Sequence, residues 1–436
     1  MKTLALDSAR DGMQRGACPA LSSPMSTGDG LLARIALADW IEPQELSQLC
    51  ELACRHGNGF VDISARGNLQ IRGLTEISAK RLDQDVRALQ LPLREGLAVE
   101  VPPLAGKDPT ELADPRELAA AIREGSAHII GLAPKMTVVV DGHGQLRLSD
   151  LLADIRLVAN PPGQGGGWTI LLGGTEETGG VSGTLADADA IAEVLDLLRR
   201  LAASGRSARG KDLASALPHR RPSFQWRSPF GLHVLTDGQA SVGVGPAFGQ
   251  LPAVKLDALC KAAAAIGATA VRPALDHSLL FLGRPQACDE LLAYAKREGF
   301  LTAAEDPRSS IAVCPGSPAC ASAASATHEL AARVVDELAD HLDGSFKLHV
   351  TGCQKGCAHP QPSPITLCAT THGVSFVAGR AGDRSLATVG EQDIAPALRR
   401  TSALLSKERR DGESSAACLA RLGLEKLATI LTSGKT

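Results

Sequence analysis

The stretches Cys314-Pro-Gly-Ser-Pro-Ala-Cys320 and Gly352-Cys-Gln-Lys-Gly-Cys-Ala-His-Pro360 place four cysteines in two short turns, spaced C-x5-C and C-x3-C. In a [4Fe–4S] cube each iron takes one thiolate, and small neighbouring residues let the backbone fold around the cluster. Tetrahedral zinc is an alternative, but its paired ligands usually lie about two to four residues apart. Four unconnected buried cysteines are a third interpretation. The pattern favours a cluster held by Cys314, Cys320, Cys353 and Cys357.

Length and composition restrict the class of protein. The 436 residues exceed one ordinary core, which predicts about two to four structural units. No long apolar run and no secretory signal is recognisable, so we predict a cytoplasmic protein with no membrane partner. The net charge of −3, without a large basic block, argues against a nucleic-acid partner. Eleven cysteines without a signal favour metal ligation and buried thiols over disulfides.

The chain contains an internal repeat, which a shift of 210 residues aligns without a gap. The shift places Cys50 on Cys260 and Gly57 on Gly267. Each copy predicts a strand, a helix and a hairpin, and two such half-domains can share one sheet. The predicted elements are Leu31–Ala36, Pro43–His56, Gly59–Ser64 and Asn68–Arg72 in the first copy, and Ser241–Gly245, Val254–Ile266, Thr269–Ala274 and Ser278–Leu282 in the second.

The segments that follow the two half-domains also resemble one another. A helix and a strand are predicted in each, the helices being Pro115–Glu124 and Glu329–Leu342, but only the second segment carries the four cysteines. This pattern predicts an α+β fold built by duplication. Its segments are a half-domain (15–75), an α/β domain without the cluster (76–201), a linker (202–228), a second half-domain (229–285), an α/β domain with the cluster (286–400) and a helical tail (401–436).

Polar residues alternate along the hairpin of the first half-domain. Alternate positions of a strand share a face, so these side chains form a row of donors suited to carboxylates. They are Arg66, Asn68, Gln70 and Arg72. A solvent-facing hairpin edge is the alternative, but the second copy places Leu280 and Leu282 where the first has Gln70 and Arg72.

Three further residues are candidates for chemistry. Arg34 and Lys135 are isolated cations in apolar surroundings, and such cations usually have an anionic partner in the protein or a ligand. His359 follows the last cysteine of the pair by two residues. It could be an iron ligand, a proton donor or a structural residue.

Together these features resemble the sirohaem-dependent sulfite and nitrite reductases. The resemblance implies two ferredoxin-like half-domains joined across a pseudo-twofold axis, two flanking α/β domains, and a cluster beside a tetrapyrrole pocket. Arg34, Arg66, Gln70 and Lys135 would line that pocket. Two departures thin its positive charge: Thr137 stands where the reductases have a second lysine, and residues 96–103 contain no arginine.

A closer resemblance is to one branch of this superfamily, the precorrin-3B synthases. This resemblance rests on residues 15–20, Thr27–Arg34, Pro103–Gly106 and Gly352–Pro360. The resemblance implies a monooxygenase that uses O2 to hydroxylate precorrin-3A at C20, with closure of a γ-lactone from the ring A acetate. Taking the residue patterns and the resemblance together, we predict catalytic roles for Arg34, Lys135 and His359, and substrate binding by Arg66, Asn68, Gln70 and Arg72.

The same resemblance implies the cofactors. These are the [4Fe–4S] cluster and, besides it, a non-haem iron, for which His233, His277, His349 and His359 are candidate ligands by position. Electrons would come from an NADH-linked reductase or a ferredoxin, because the chain has no G-x-G-x-x-G dinucleotide element. The alternatives are a sirohaem-containing sulfite or nitrite reductase and a non-catalytic iron–sulfur electron carrier.

Overall fold

Two antiparallel sheets, one from each repeat, form the centre of the fold. The computed structural model describes residues 20–214, 217–219 and 227–432. The first repeat contributes β1 (Met25–Thr27), β2 (Gly30–Ile35), α1 (Pro43–His56), β3 (Phe60–Ile63), β4 (Leu69–Leu74) and α2 (Glu76–Ala88). The second contributes β10 (Gly231–Val234), β11 (Ala240–Val244), β12 (Gln250–Pro252), α5 (Ala253–Ile266), β13 (Ala270–Ala274), β14 (Ser278–Gly283) and α6 (Pro285–Arg297).

The two repeats exchange edges reciprocally. The first sheet has the order β1-β2-β4-β3-β12, so a strand of the second repeat completes it, with Leu251 opposite Val61. The second sheet has the order β10-β11-β14-β13, and Ile41 of the first repeat bridges to Val271 at its edge. The shift of 210 residues converts one pair into the other. Such reciprocal contacts are what a twofold relation between the repeats requires.

Helices α1 and α5 pack against each other at this axis. Their bounds, Pro43–His56 and Ala253–Ile266, are related by the same shift, and the predicted helices fall within one residue of them. The Ser47 hydroxyl donates a hydrogen bond to Asp257, its own repeat equivalent, which places the axis between the two. Leu46 and Leu256 lie in one common core with side chains of both sheets.

The two α/β units repeat one topology. Each sheet pairs its first three strands in parallel and its last two antiparallel. The first unit consists of β5 (Ala98–Glu100), α3 (Arg116–Ser126), β6 (Thr137–Asp141), β7 (Ile155–Ala159), β8 (Trp168–Leu172), β9 (Gly180–Leu185) and α4 (Asp187–Ala203). The second consists of β15 (Ile311–Val313), α7 (Thr327–Leu338), β16 (Leu348–Thr351), β17 (Ser363–Thr370), β18 (Gly373–Gly379), β19 (Ser385–Val389) and α8 (Ile394–Glu408).

The helical tail completes the core of the second α/β unit. Helix α9 (Ser415–Thr432) buries Cys418 and Leu427 against it. None of the described helices is long and apolar enough to cross a membrane. The predicted linker is described only in part, and the predicted domain bounds stay predictions.

The outer faces of the two central sheets differ in polarity. On the first sheet, Arg34, Gln70 and Asp62 are cross-strand neighbours and form a polar row, which Gln250 continues on β12. On the second sheet, Leu280 occupies the position of Gln70, and its cross-strand partner is Gly243, so this face has no charged pair there. Leu104 and Leu146 of the first α/β unit cover that apolar face. The polar face meets the second α/β unit, where the cysteines lie.

The shared core gives a stability prediction. Leu46→Ala and Leu256→Ala each remove a fully buried side chain, so we expect each to lower the free energy of unfolding by about 2–5 kcal/mol in chemical denaturation. Val254→Ala, on the same helix as Leu256 but at a side chain 66% exposed, serves as the control. Its change should stay below about 0.5 kcal/mol. A Leu256→Ala variant as stable as this control would contradict a core common to both repeats.

Candidate functional site

The four cysteines lie in two loops that leave neighbouring parallel strands. Cys314 follows β15, and Cys353 and Cys357 follow β16. Parallel strands present their carboxyl ends at one edge, where α/β proteins commonly bind ligands. The Cys314 amide donates to the Val350 carbonyl oxygen (3.2 Å), and the Gly352 amide donates to the Cys314 Sγ (3.1 Å). The loops are therefore side by side.

The thiols have unequal exposure. Cys314 is buried, Cys320 and Cys353 are half-buried, and Cys357 is exposed. The pKa of the neighbouring Cys368 thiol is raised to about 11, first by burial and then by the thiols of Cys353 and Cys314. These two cysteines from different loops therefore approach the same point, while Cys314 and Cys357 border one cavity.

A cube and a single ion require different spacings of the four thiols. Within residues 20–214, 217–219 and 227–432, no group of three or more His, Cys, Asp or Glu side chains is placed to hold one metal ion. The thiolates of a cube each bind a different iron, so they stand further apart than ligands of a single ion. Adjacent loops with an amide donating to a thiol sulfur fit that arrangement. The four cysteines as cluster ligands stay a prediction.

Glycines allow the first half-domain to touch the cysteine loops. The Gly28 amide donates to the Ala319 carbonyl oxygen (3.2 Å). A Cβ at Gly28 would lie 2.4 Å from the Ala321 nitrogen and 2.7 Å from the Cys320 carbonyl carbon, which no real Cβ can do. Arg72 reaches the same Ala319 oxygen at 3.2 Å. The first cysteine loop is thus held against the polar face of the first sheet.

A cavity of about 260 Å³, the cluster-side cavity, separates this polar face from the cysteines. Asp62, Gln70, Phe248, His277, His328, Cys314 and Cys357 are among its lining residues. Phe248 and His277 have φ values of 62° and 63°, a conformation that strains residues other than glycine and that clusters at functional sites. Burial lowers the pKa of both His277 and His328, which favours their neutral forms.

A larger cavity of about 800 Å³, the cationic cavity, lies between the first half-domain and the first α/β unit. Its walls combine apolar side chains with five cations and one carboxylate, Glu95. The cations are Arg34, Arg87, Arg94, Arg123 and Lys135. Lys135 has a φ of 65°, another strained position. Because Arg34 and Gln70 are cross-strand partners, the polar face of the first sheet connects the two cavities.

The structure separates the predicted donor row. Gln70 lines the cluster-side cavity, whereas exposed Arg66 borders a third cavity of about 40 Å³. Asn68 is buried and accepts from Arg94 (3.1 Å). Arg72 is buried in ion pairs with Asp62 (2.6 Å) and Asp29 (3.4 Å), so two carboxylates balance its charge. Arg34 and Lys135, in contrast, meet in the cationic cavity as proposed from the sequence.

The candidate histidines fall into two groups. His277 and His359 line a fourth cavity of about 200 Å³ beside Lys347. The ring of His349 packs on that of His359 at 5.9 Å, and burial lowers its pKa to about 4. His233 is buried elsewhere, with Nε2 3.0 Å from the Pro229 carbonyl oxygen.

Several residues of the two large cavities escaped the sequence analysis. Arg94 lies two residues before the stretch 96–103 that lacks arginine, and Arg123 sits on helix α3 without any local signal. His328 and Phe248 likewise belong to no motif. Residues 15–19 of the first resemblance motif lie outside the described residues, and Ala20 lines the cationic cavity.

Comparisons with known proteins agree with the class that this architecture defines. Residues 23–89 match the family described as "Nitrite/Sulfite reductase ferredoxin-like half domain". The NirA protein of Mycobacterium tuberculosis has a similar structure, with a TM-score of 0.69 and 19% identity over 91% of this chain and 84% of that one. The protein therefore has the nitrite/sulfite reductase-like α+β fold predicted from the sequence.

A further comparison identifies the branch. A Sinorhizobium sp protein named "Precorrin-3B synthase" is 38% identical over 438 residues, which cover 97% of this chain and 95% of the relative. The chain belongs to the precorrin-3B synthase family. This confirms the family suggested by the sequence motifs.

The close approach at Gly28 is testable. Gly28→Ala should displace the first cysteine loop, because the new Cβ meets backbone atoms that cannot move independently. We expect the purified variant to contain less than half the iron and acid-labile sulfide of the unmodified protein. Gly183→Ala, where the new Cβ meets nothing within 4 Å, is the matched control. Equal iron content in both variants would refute the role of this contact.

Proposed function

We propose that the protein is a precorrin-3B synthase, an O2-dependent monooxygenase that hydroxylates precorrin-3A at C20 while the ring A acetate closes a γ-lactone. The observation that carries this proposal is the 38% identity, over nearly the whole of both chains, with the relative of that name. The similarity to NirA concerns the fold alone, so it does not favour sulfite or nitrite reduction.

The cationic cavity suits a tetrapyrrole substrate. Its volume of about 800 Å³ is within the range of cavities that enclose large cofactors and ligands. Leucine, isoleucine and methionine side chains on its walls match an apolar ring, and the arginines match acid side arms. In this proposal the macrocycle binds as substrate, with Arg34 and Lys135 at its edge.

Thr137 supports oxygen chemistry over anion reduction. The resembling reductases carry a second lysine at this position, which would add charge to hold an oxyanion. Here the Thr137 hydroxyl is buried and donates to the Lys135 carbonyl oxygen (3.1 Å), so it adds no charge to the site. Neutral O2 needs no such charge. Lys135 remains as the cation nearest to this position in sequence.

The cysteine loops would hold the [4Fe–4S] cluster through Cys314, Cys320, Cys353 and Cys357. When bound, the cluster would supply electrons for the oxygen chemistry. The Gly352 amide, which donates to the Cys314 Sγ, stabilises negative charge on that thiolate. Gln70 faces Cys314 and Cys357 across the cluster-side cavity, where its amide can orient a polar ligand group. A non-haem iron near His277 and His359 remains part of the proposal.

Electrons come from a separate donor in this proposal, an NADH-linked reductase or a ferredoxin. Cys357, the exposed member of the four cysteines, gives such a donor access to the cluster loops. His359, two residues beyond it, lines a neighbouring cavity, and in this proposal it exchanges protons near the same loop. The cytoplasmic location predicted from the sequence stays a prediction.

Isotopic labelling tests the reaction itself. Cluster-replete protein is incubated with precorrin-3A, a reductant and labelled O2, and the product is analysed by mass spectrometry. We expect one labelled oxygen atom in the product, and none when the label is in water instead. Label taken up from water alone, or no product at all, would refute the monooxygenase. A Soret band in the purified protein would instead favour the sirohaem reductase.

Lys135 provides a second test. Replacing Lys135 by Met keeps the strained backbone and removes the charge, so we expect kcat/KM for precorrin-3A to fall by about tenfold or more, roughly 1.4 kcal/mol. Lys261→Met, at an exposed lysine paired with Asp257, should leave kcat/KM within about twofold of the unmodified value. The proposed role of Lys135 is wrong if both variants behave alike.

A further inference from the structure

Arg123 differs from Arg87 and Arg94 in the cationic cavity by the partners that the protein provides for its guanidinium group. It lies on α3, and its guanidinium Nη2 donates to the Val99 carbonyl oxygen (2.8 Å). Its Nε is buried and has no hydrogen-bond partner among the described residues. No carboxylate in the described part of the chain lies within ion-pair distance of it. A neutral carbonyl group is thus the hydrogen-bond partner of this half-buried cation.

Two other arginines of the cavity are already paired by the protein. Arg87 donates to Glu95 (2.9 Å), and Arg94 forms an ion pair with Glu100 and a hydrogen bond with Asn68. Their charges are therefore balanced locally, and a ligand carboxylate gains less from them. Arg123, on the same wall, still has an Nε–H group that makes no hydrogen bond with the described residues.

The surroundings of Arg123 increase the benefit of an incoming anion. Burial lowers the pKa of its guanidinium, the more distant Glu100 opposes that effect, and Arg94 adds to it. A buried charge without a close counterion is unfavourable, and removal of water strengthens its attraction to an anion. A carboxylate placed against the Nε edge would make charge-assisted hydrogen bonds where none exists now.

We propose that Arg123 is a positioning residue that anchors one carboxylate arm of a tetrapyrrole in the cationic cavity and so fixes the rotation of the ring. The inference rests on the proposed function, because it takes the cavity as the substrate site. It adds a specific contact, since Arg123 belongs to none of the motifs that carried the family resemblance. An acid arm held at one wall would determine which meso carbon lies toward the cysteine loops.

A binding experiment tests the contact without turnover. Uroporphyrin, which carries acetate and propionate arms, is titrated into the full-length protein, and its fluorescence gives the dissociation constant. We expect Arg123→Leu to weaken binding by about tenfold, equivalent to about 1.4 kcal/mol, and Arg123→Lys to lose less. A neutral hydroxyl-substituted porphyrin with the same ring should bind the unmodified protein and Arg123→Leu equally.

Arg116→Leu is the matched control. Arg116 lies on the same helix, pairs with Asp114 (2.6 Å) and lines neither cavity, so its loss should not change uroporphyrin binding. Thermal unfolding of each variant checks that the fold is retained. Tight uroporphyrin binding that Arg123→Leu leaves unchanged would overturn this inference and leave the proposed function standing. Failure of the unmodified protein to bind uroporphyrin would overturn this inference and the assignment of the cationic cavity to a tetrapyrrole, whereas the labelling experiment alone decides the reaction.

Turnover supplies an independent readout. With precorrin-3A, Arg123→Leu should raise KM and also yield product oxygenated at carbons other than C20, because the ring can rotate. Arg123→Lys should restore most of the C20 selectivity. A Leu variant with altered KM and unchanged selectivity would refute the role in fixing ring rotation.

Discussion

The reciprocal strand exchange between the two repeats is the constraint on which the rest of the structure depends. Each central sheet borrows an edge contact from the other repeat, with Leu251 on Val61 and Ile41 on Val271. Helices α1 and α5 fill the space between the sheets, so the inner faces of both sheets are buried in one core. The outer faces remain available to the two α/β units. The position of the cysteine loops follows from this geometry.

The duplication gives each central sheet an equivalent outer face, but the side chains on the two faces differ in polarity. Leu280 and Leu282 are buried beneath the first α/β unit, where apolar contact holds the unit in place. The equivalent positions Gln70 and Arg72 face the cysteines. A buried ion pair rarely adds much net stability, but breaking one is costly. Arg72, held by Asp62 and bonded to the Ala319 carbonyl oxygen, therefore fixes where the first cysteine loop lies more than it stabilises the fold.

The periodic parts of this fold could be predicted from the sequence. Contacts between side chains from distant segments could not. The helices and hairpins of both repeats could be predicted because their apolar spacing is local and is stated twice. The donor row could not be predicted, because its members bond to residues from other parts of the chain, such as Arg94, which donates to Asn68. The ion pair that occupies Arg72 involves a residue 43 positions earlier in the chain. Arg123 could not be identified from the sequence for a related reason. The periodicity of a helix indicates on which side a residue lies, but it does not show that a distant half-domain forms a cavity there.

The connection between the two large cavities has a chemical consequence. Arg34 borders the cationic cavity, its cross-strand partner Gln70 borders the cluster-side cavity, and adjacent strands in a sheet are only about 5 Å apart. A ring in the first cavity would therefore lie beside the same sheet face that the cysteine loops cover. Electrons entering at the exposed loop would have a short path to the ring. In the proposed reaction, the polar face of the first half-domain thus borders both the substrate and the cofactor. Arg72, through its ion pair with Asp62 and its bond to the Ala319 carbonyl oxygen, holds the first cysteine loop against this face.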